Sequence, residues 1–175
     1  MRVLSIAAAA SLLAGAAHAE IVEQGEGGFR LKQTVEIAAP PDKVYAALGE
    51  IGRWWDDAHT YSGKAANMSM ALEPGACFCE ALPKGGVRHG VVALAWPDQR
   101  MVRIEAALGP LQDEGATGAL SYQIKSKGAG SEIVQTYNVG GLRAASARAF
   151  SGPVEQVMTT QVQRLKRYVE TGKPN

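Results

Sequence analysis

The chain has 175 residues, with 18 Lys and Arg against 17 Asp and Glu, and 46% of it is hydrophobic. That near-neutral balance excludes the basic face needed by a nucleic-acid binder or a membrane-surface protein. Two cysteines exclude a disulfide-scaffold protein, and the length suits one domain with a single sizeable core.

The chain opens "MRVLSIAAAASLLAGAAHAE". One basic residue, Arg2, precedes an apolar run from Val3 to Gly15, and Ala17-His18-Ala19 forms an A-x-A site. This reads as a secretory signal peptide over 1–19, cleaved after Ala19. The apolar run is too short for a membrane span, so no stable membrane insertion is expected and the location is periplasmic or secreted. Residues 20–175 are then one domain, with 17 Lys and Arg against 17 Asp and Glu once Arg2 is removed. Its many glycines point to turns and a sheet-rich fold.

Ile21 to Gly28 is polar and glycine-bearing and reads as an irregular lead-in. From Phe29 to Ile37 the pattern alternates, with Phe29, Leu31, Gln33, Val35 and Ile37 on one face, which is a half-buried strand. Pro41 and Asp42 suit the first turn of a helix that runs to Leu48 with Val44, Ala47 and Leu48 inward. A second short helix spans Ile51 to Trp55. After a polar connection, six antiparallel strands are predicted: Met68 to Leu72, Cys77 to Leu82, Val87 to Trp96, Met101 to Leu108, Thr117 to Ser126 and Glu132 to Val139. From Pro153 to Glu170, Val154, Val157, Met158, Gln161, Leu165 and Tyr168 recur at helical spacing, with Pro near the start and Gly172 and Pro174 at the stop.

A meander with one apolar face needs cover, and the long helix supplies it. The expected fold is α+β: a curved antiparallel sheet wrapped around a long C-terminal helix, with two short helices after the first strand. The space between sheet and helix is a natural cavity.

The stretch Val35-Glu36-Ile37-Ala38-Ala39-Pro40-Pro41-Asp42-Lys43-Val44-Tyr45-Ala46-Ala47-Leu48, the pair Trp54-Trp55, Pro74-Gly75 and the helix Val154 to Tyr168 carry a resemblance. On these the chain resembles the SRPBCC superfamily of START-like, helix-grip proteins, in its polyketide cyclase/dehydrase or Hsp90-ATPase-activator-like branch. The resemblance implies a hydrophobic cavity that takes a small apolar molecule. It carries no catalytic residue, since no single catalytic motif runs through the family.

The expected role is therefore an exported binder of an apolar or amphipathic ligand, with no cofactor and no nucleic-acid partner. Large side chains near the cavity are the expected contacts: Tyr45, Trp54, Trp55, Trp96, Tyr122, Tyr137, Phe150 and Met158. An alternative is a cyclase- or hydrolase-type enzyme with His89 as its acid-base group. Arg103 and Glu105 share the outward face of their strand. Asp56, Asp57 and His59 form a polar loop whose spacing matches no calcium site.

"ACFCE" holds both cysteines, Cys77 and Cys79, on one face of a strand. Three uses stand: packed thiols, a local disulfide, or soft-metal binding to copper or zinc. In an ideal strand the two Cα atoms lie roughly 6.6 Å apart, long for a disulfide, so a bond would need a bulge. If Pro74-Gly75 is a two-residue turn, Met70 faces Cys79, and methionine and cysteine sulfurs share one face.

Overall fold

Alternation decides which side of each strand is buried. The computed structural model describes residues 19–175, and the expected signal peptide lies outside the described residues apart from Ala19. β1 (Glu20–Gly25) and β2 (Gly28–Ile37) lead to α1 (Pro41–Leu48). Then come β3 (Met68–Ser69), β4 (Cys77–Leu82), β5 (Gly85–Trp96), β6 (Met101–Glu105), β7 (Thr117–Lys127), β8 (Gly130–Gly140) and α2 (Ala144–Thr171). In β2 and β8 every second residue is buried, from Phe29 to Ile37 and from Ser131 to Val139.

The eight strands form one curved antiparallel sheet in the order β1-β2-β8-β7-β6-β5-β4-β3. β2 pairs with β8 without a break from Gly28↔Gly140 to Ile37↔Ser131. Because β2 and β3 sit toward opposite edges, residues 38–67 must cross the sheet. They carry α1, with Val44, Ala47 and Leu48 buried as expected, and the Trp54-Trp55 pair. α2 lies against β2, β1 and α1.

Several elements differ from the sequence reading: the strand expected over Met101 to Leu108 ends at Glu105, and the short helix expected over Ile51 to Trp55 is a single 3-10 turn, Ile51–Arg53. Residues 20–25 form a strand, β1, exposed throughout. It is held by its backbone ladder to β2 and shows no apolar alternation to read. The strand expected over 68–72 shrinks to two residues. α2 begins at Ala144, not near Pro153, which lies inside the helix. Buried Ala147 and Ser151 anchor the added turns.

Pro153 has no N–H to donate to the preceding turn, a defect inside a helix. Its side chain is exposed, so shortening it to alanine removes little buried surface. Pro153→Ala is expected to raise stability by about 1–3 kcal/mol, read as a higher thermal midpoint.

Between β4 and β5 the register slips after Phe78: Phe78 faces Gly90 while Cys79 faces Arg88. His89 is the extra residue, a bulge that turns it to the inner face. Gly90 belongs there because a Cβ would lie 2.5 Å from the Glu105 carbonyl oxygen.

Candidate functional site

The inner face is apolar except for one row of polar side chains. Gln33 of β2, Gln135 of β8 and Tyr122 of β7 are direct cross-strand partners. Gln135 Nε2 donates to the Tyr122 hydroxyl at 3.0 Å, and Gln33 Nε2 donates to Gln135 Oε1. Gln33 Nε2 also donates to the Met158 carbonyl of α2 at 2.9 Å. Gln33 Oε1 is buried and has no hydrogen-bond partner among the described residues. The same is true of the Tyr45 hydroxyl and Gln161 Nε2. Burial pushes the Tyr122 phenol well above its ordinary range, so it stays protonated. Burial also raises Tyr45.

Five of the eight expected contacts meet on this face. Trp54, Trp55, Tyr122, Tyr137 and Met158 belong to one buried cluster, with Tyr45 and Phe150 packed against it. Trp96 does not join them: it ends β5 and is 50% exposed. The expected open cavity is also absent from this gap. A side chain lining a void large enough for a ligand keeps accessible surface, yet Tyr137 is 0% exposed and Met158 1%. Tyr137 is spent on structure, since its hydroxyl donates to the Ala106 carbonyl and accepts from Leu108 N–H, both at 3.0 Å. Gln33 stood on the apolar stripe of its strand, and that misfit was the available signal for the polar row. Gln135 repeats it on β8.

His89 is buried, with Nε2 3.0 Å from Glu80 Oε2. The ring lies against Phe78 and Tyr61, with centroids 5.1 and 5.9 Å away. Glu80 also accepts from Tyr61 N–H at 3.1 Å and from Ser62 N–H at 2.5 Å. Burial raises the Glu80 carboxyl, but the hydrogen bonds from Ser62, Tyr61 and His89 outweigh it and hold the group below the usual glutamate value. The pair ties the loop at 61–62 to the sheet. Glu80 was missed, although its inward parity with Phe78 marked it. Asp56 and Asp57 are also loop caps, accepting from Ala58 N–H at 3.1 Å and Ala65 N–H at 2.6 Å.

Cys77 and Cys79 are joined by a disulfide, with Cα atoms 5.3 Å apart. They are half-buried on the outer face, and the register slip lies between Phe78 and Cys79. The expected methionine neighbour is not there. Ser69 faces Cys79, and Met68 and Met70 are buried with the core, because Met68 pairs with Glu80, one residue off the register that would set Met70 opposite Cys79. Among the described residues no three His, Cys, Asp or Glu side chains are grouped to hold a metal.

The sheet's outer face carries a groove of about 1,170 Å³. Its floor follows one cross-strand row: Glu23, Arg30, Asn138, Ala119, Glu105 and Val91. The next partner in that row is Cys77. Arg88, the partner of Cys79, also lines the groove.

A long C-terminal helix held by a curved antiparallel sheet, with paired short segments crossing the inner face, defines the helix-grip class. Residues 28–170 match the model of the family described as polyketide cyclase/dehydrase and lipid transport. The chain belongs to that family, as the SRPBCC resemblance implied. Membership suggests a small hydrophobic ligand. No curated protein matches the chain in sequence.

Similar solved structures share the fold. The Aha1 dimer from Colwellia psychrerythraea is 19% identical with a TM-score of 0.59, over 82% of this chain and 98% of that one. The Zhui aromatase/cyclase from Streptomyces sp. R1128 is 15% identical with a TM-score of 0.51, over 82% and 96%. A conserved protein of unknown function from Enterococcus faecalis is 12% identical with a TM-score of 0.61, over 88% and 78%. Among the described residues no helix is long and apolar enough to cross a membrane.

Proposed function

We propose that this protein is an exported carrier of a small amphipathic molecule, held between the inner sheet face and α2. The observation that carries this reading is the Gln33–Gln135–Tyr122 row. Buried polar groups are ordinarily satisfied, and a Gln33 oxygen without a partner inside an apolar face suits a ligand's donor group. The family's described chemistry, polyketide cyclisation and lipid transport, concerns molecules of this kind. Because the gap is closed by its own side chains, binding is coupled to their displacement, with buried Met158, whose backbone carbonyl accepts from Gln33, on the α2 side. Met side chains adapt readily to such repacking. Export rests on the amino-terminal sequence, and cleavage after Ala19 would free the chain where β1 starts.

Native mass spectrometry of protein from its own host is expected to show a chain beginning at Glu20 and a retained small molecule. Titration with 8-anilinonaphthalene-1-sulfonate is expected to saturate and to change the emission of Trp54 and Trp55. Gln33→Leu, which removes the unpartnered oxygen, should weaken that binding about tenfold, the worth of one buried hydrogen bond. No retained molecule together with no saturable dye binding would overturn the carrier reading. A chain still beginning at Met1 would overturn export.

A further inference from the structure

The Cys77–Cys79 bond does little for the fold. It closes a loop of three residues, where the loss of unfolded-state entropy is smallest. The strand is already paired on both sides: Cys77 with Val91, and Cys79 with Arg88 and Ser69. Phe78 and Glu80 take the inward positions, so the sulfurs belong to the outer face, half-buried and within reach of solvent.

Two features of the surroundings favour chemistry over packing. Directly opposed residues in an antiparallel pair hold their Cβ atoms about 4.5–5.5 Å apart, which sets Arg88 beside Cys79. A neighbouring cation stabilises a thiolate. The second feature is the groove, whose floor ends at Val91, the cross-strand partner of Cys77. It offers an exposed cation and an exposed carboxylate, Arg88 and Glu105, neither in an ion pair among the described residues. Arg30 and Glu23, by contrast, are paired with each other at 3.1 Å.

We propose that Cys77–Cys79 is a thiol–disulfide exchange site whose substrate is a zwitterionic low-molecular-weight thiol seated in the outer groove. Arg88 receives the substrate's carboxylate and Glu105 its ammonium group. The substrate thiolate attacks Cys77 Sγ. The Cys77–Cys79 bond breaks, and its electron pair leaves on Cys79 Sγ, as a thiolate beside Arg88. A second substrate thiolate then attacks the substrate sulfur of the mixed disulfide and releases Cys77 as a thiolate. Two substrate thiols are thereby oxidised to one disulfide, and the protein's disulfide is reduced to two thiols. With the substrate disulfide in excess the same steps run backward and restore the bond. The ladder on each side of β4 keeps the strand in place throughout. This proposal does not depend on a ligand in the inner gap.

The test compares two thiols, glutathione and 2-mercaptoethanol, on the oxidised protein and on an oxidised peptide of sequence ACFCE. Alkylation and mass spectrometry report the reduced fraction over time. The glutathione-to-mercaptoethanol rate ratio is expected to be about tenfold higher for the protein than for the peptide, as charge complementarity in a cleft predicts. Arg88→Gln and Glu105→Gln should each lower that ratio, and Cys79→Ser given oxidised glutathione should hold one glutathione on Cys77 as a mixed disulfide, with the other glutathione leaving as a thiolate. Far-ultraviolet circular dichroism of the reduced protein should match the oxidised form. A bond that stays oxidised under roughly hundredfold excess of reduced over oxidised glutathione would identify a structural disulfide and overturn the proposal. A rate ratio equal to the peptide's would overturn the role of the groove.

Discussion

Glu80→Ala is expected to cost about 3–5 kcal/mol of stability and to loosen the loop around Tyr61 and Ser62. The carboxylate is 2% exposed and accepts three hydrogen bonds, from two backbone N–H groups and from His89 Nε2. Alanine removes every acceptor and leaves buried His89 and the two part-buried loop amides without their partner. Glu80→Gln keeps the shape and one acceptor oxygen, so it should cost less, about 1–2 kcal/mol. Denaturant unfolding measures both, and hydrogen exchange should show the Tyr61 and Ser62 amides losing protection first. If Glu80→Ala leaves both the midpoint and the exchange rates unchanged, the network is not holding the loop.

The same carboxylate sets a pH dependence. Its folded pKa lies below the unfolded value, because the hydrogen bonds outweigh the burial that raises it. Its contribution is therefore complete above the ordinary glutamate value, about 4.3, and is lost as pH falls through the lower folded value. Wild-type protein should lose stability across that acid window. Glu80→Gln, which cannot titrate there, should show a shallower acid limb by thermal melts at a series of pH values.

Much of the fold was legible because period 2 and period 3.6 are direct readouts of burial. The Phe29 to Ile37 alternation gave the right inward set, and Val44, Ala47 and Leu48 appeared on the right face of α1. β1 was invisible for a physical reason: an edge strand held by backbone ladders, with exposed side chains, writes no hydrophobic pattern. Pro153 misled because proline at a helix start is the common case, and tertiary anchoring at Ala147 and Ser151 overrode it. The cysteine register failed by one residue. That shift carried Met68 and Met70 to the opposite face, as strand periodicity demands. The polar row and Glu80 stood in the sequence as polar residues at inward positions. Large aromatics drew attention first, and most of them turned out to build the core.

Trp54 is the sharpest case of that difference, and Trp54→Ala is expected to cost about 3–5 kcal/mol. The side chain is 1% exposed, and its Nε1–H donates to the Ala47 carbonyl at 2.7 Å, closing the end of α1. Its ring lies 5.7 Å from that of Trp55, which meets Phe78 edge-on at 5.7 Å, so the indole pair joins α1 to β4. From α2, Arg164 Nε donates to the Trp54 carbonyl at 2.9 Å and Nη2 to the Trp55 carbonyl at 3.2 Å. That clamp uses backbone oxygens, so it survives the substitution and limits how far the helix can collapse into the space. The void should therefore persist, and a dry apolar void takes small aromatic molecules. Trp54→Ala should bind benzene-sized probes that wild-type protein excludes, and their saturation should restore part of the lost thermal midpoint. If Trp54 were instead a ligand contact with little packing role, the variant would melt with wild-type protein and lose dye binding alone. The two readouts, midpoint and dye affinity, separate a packing tryptophan from a binding one.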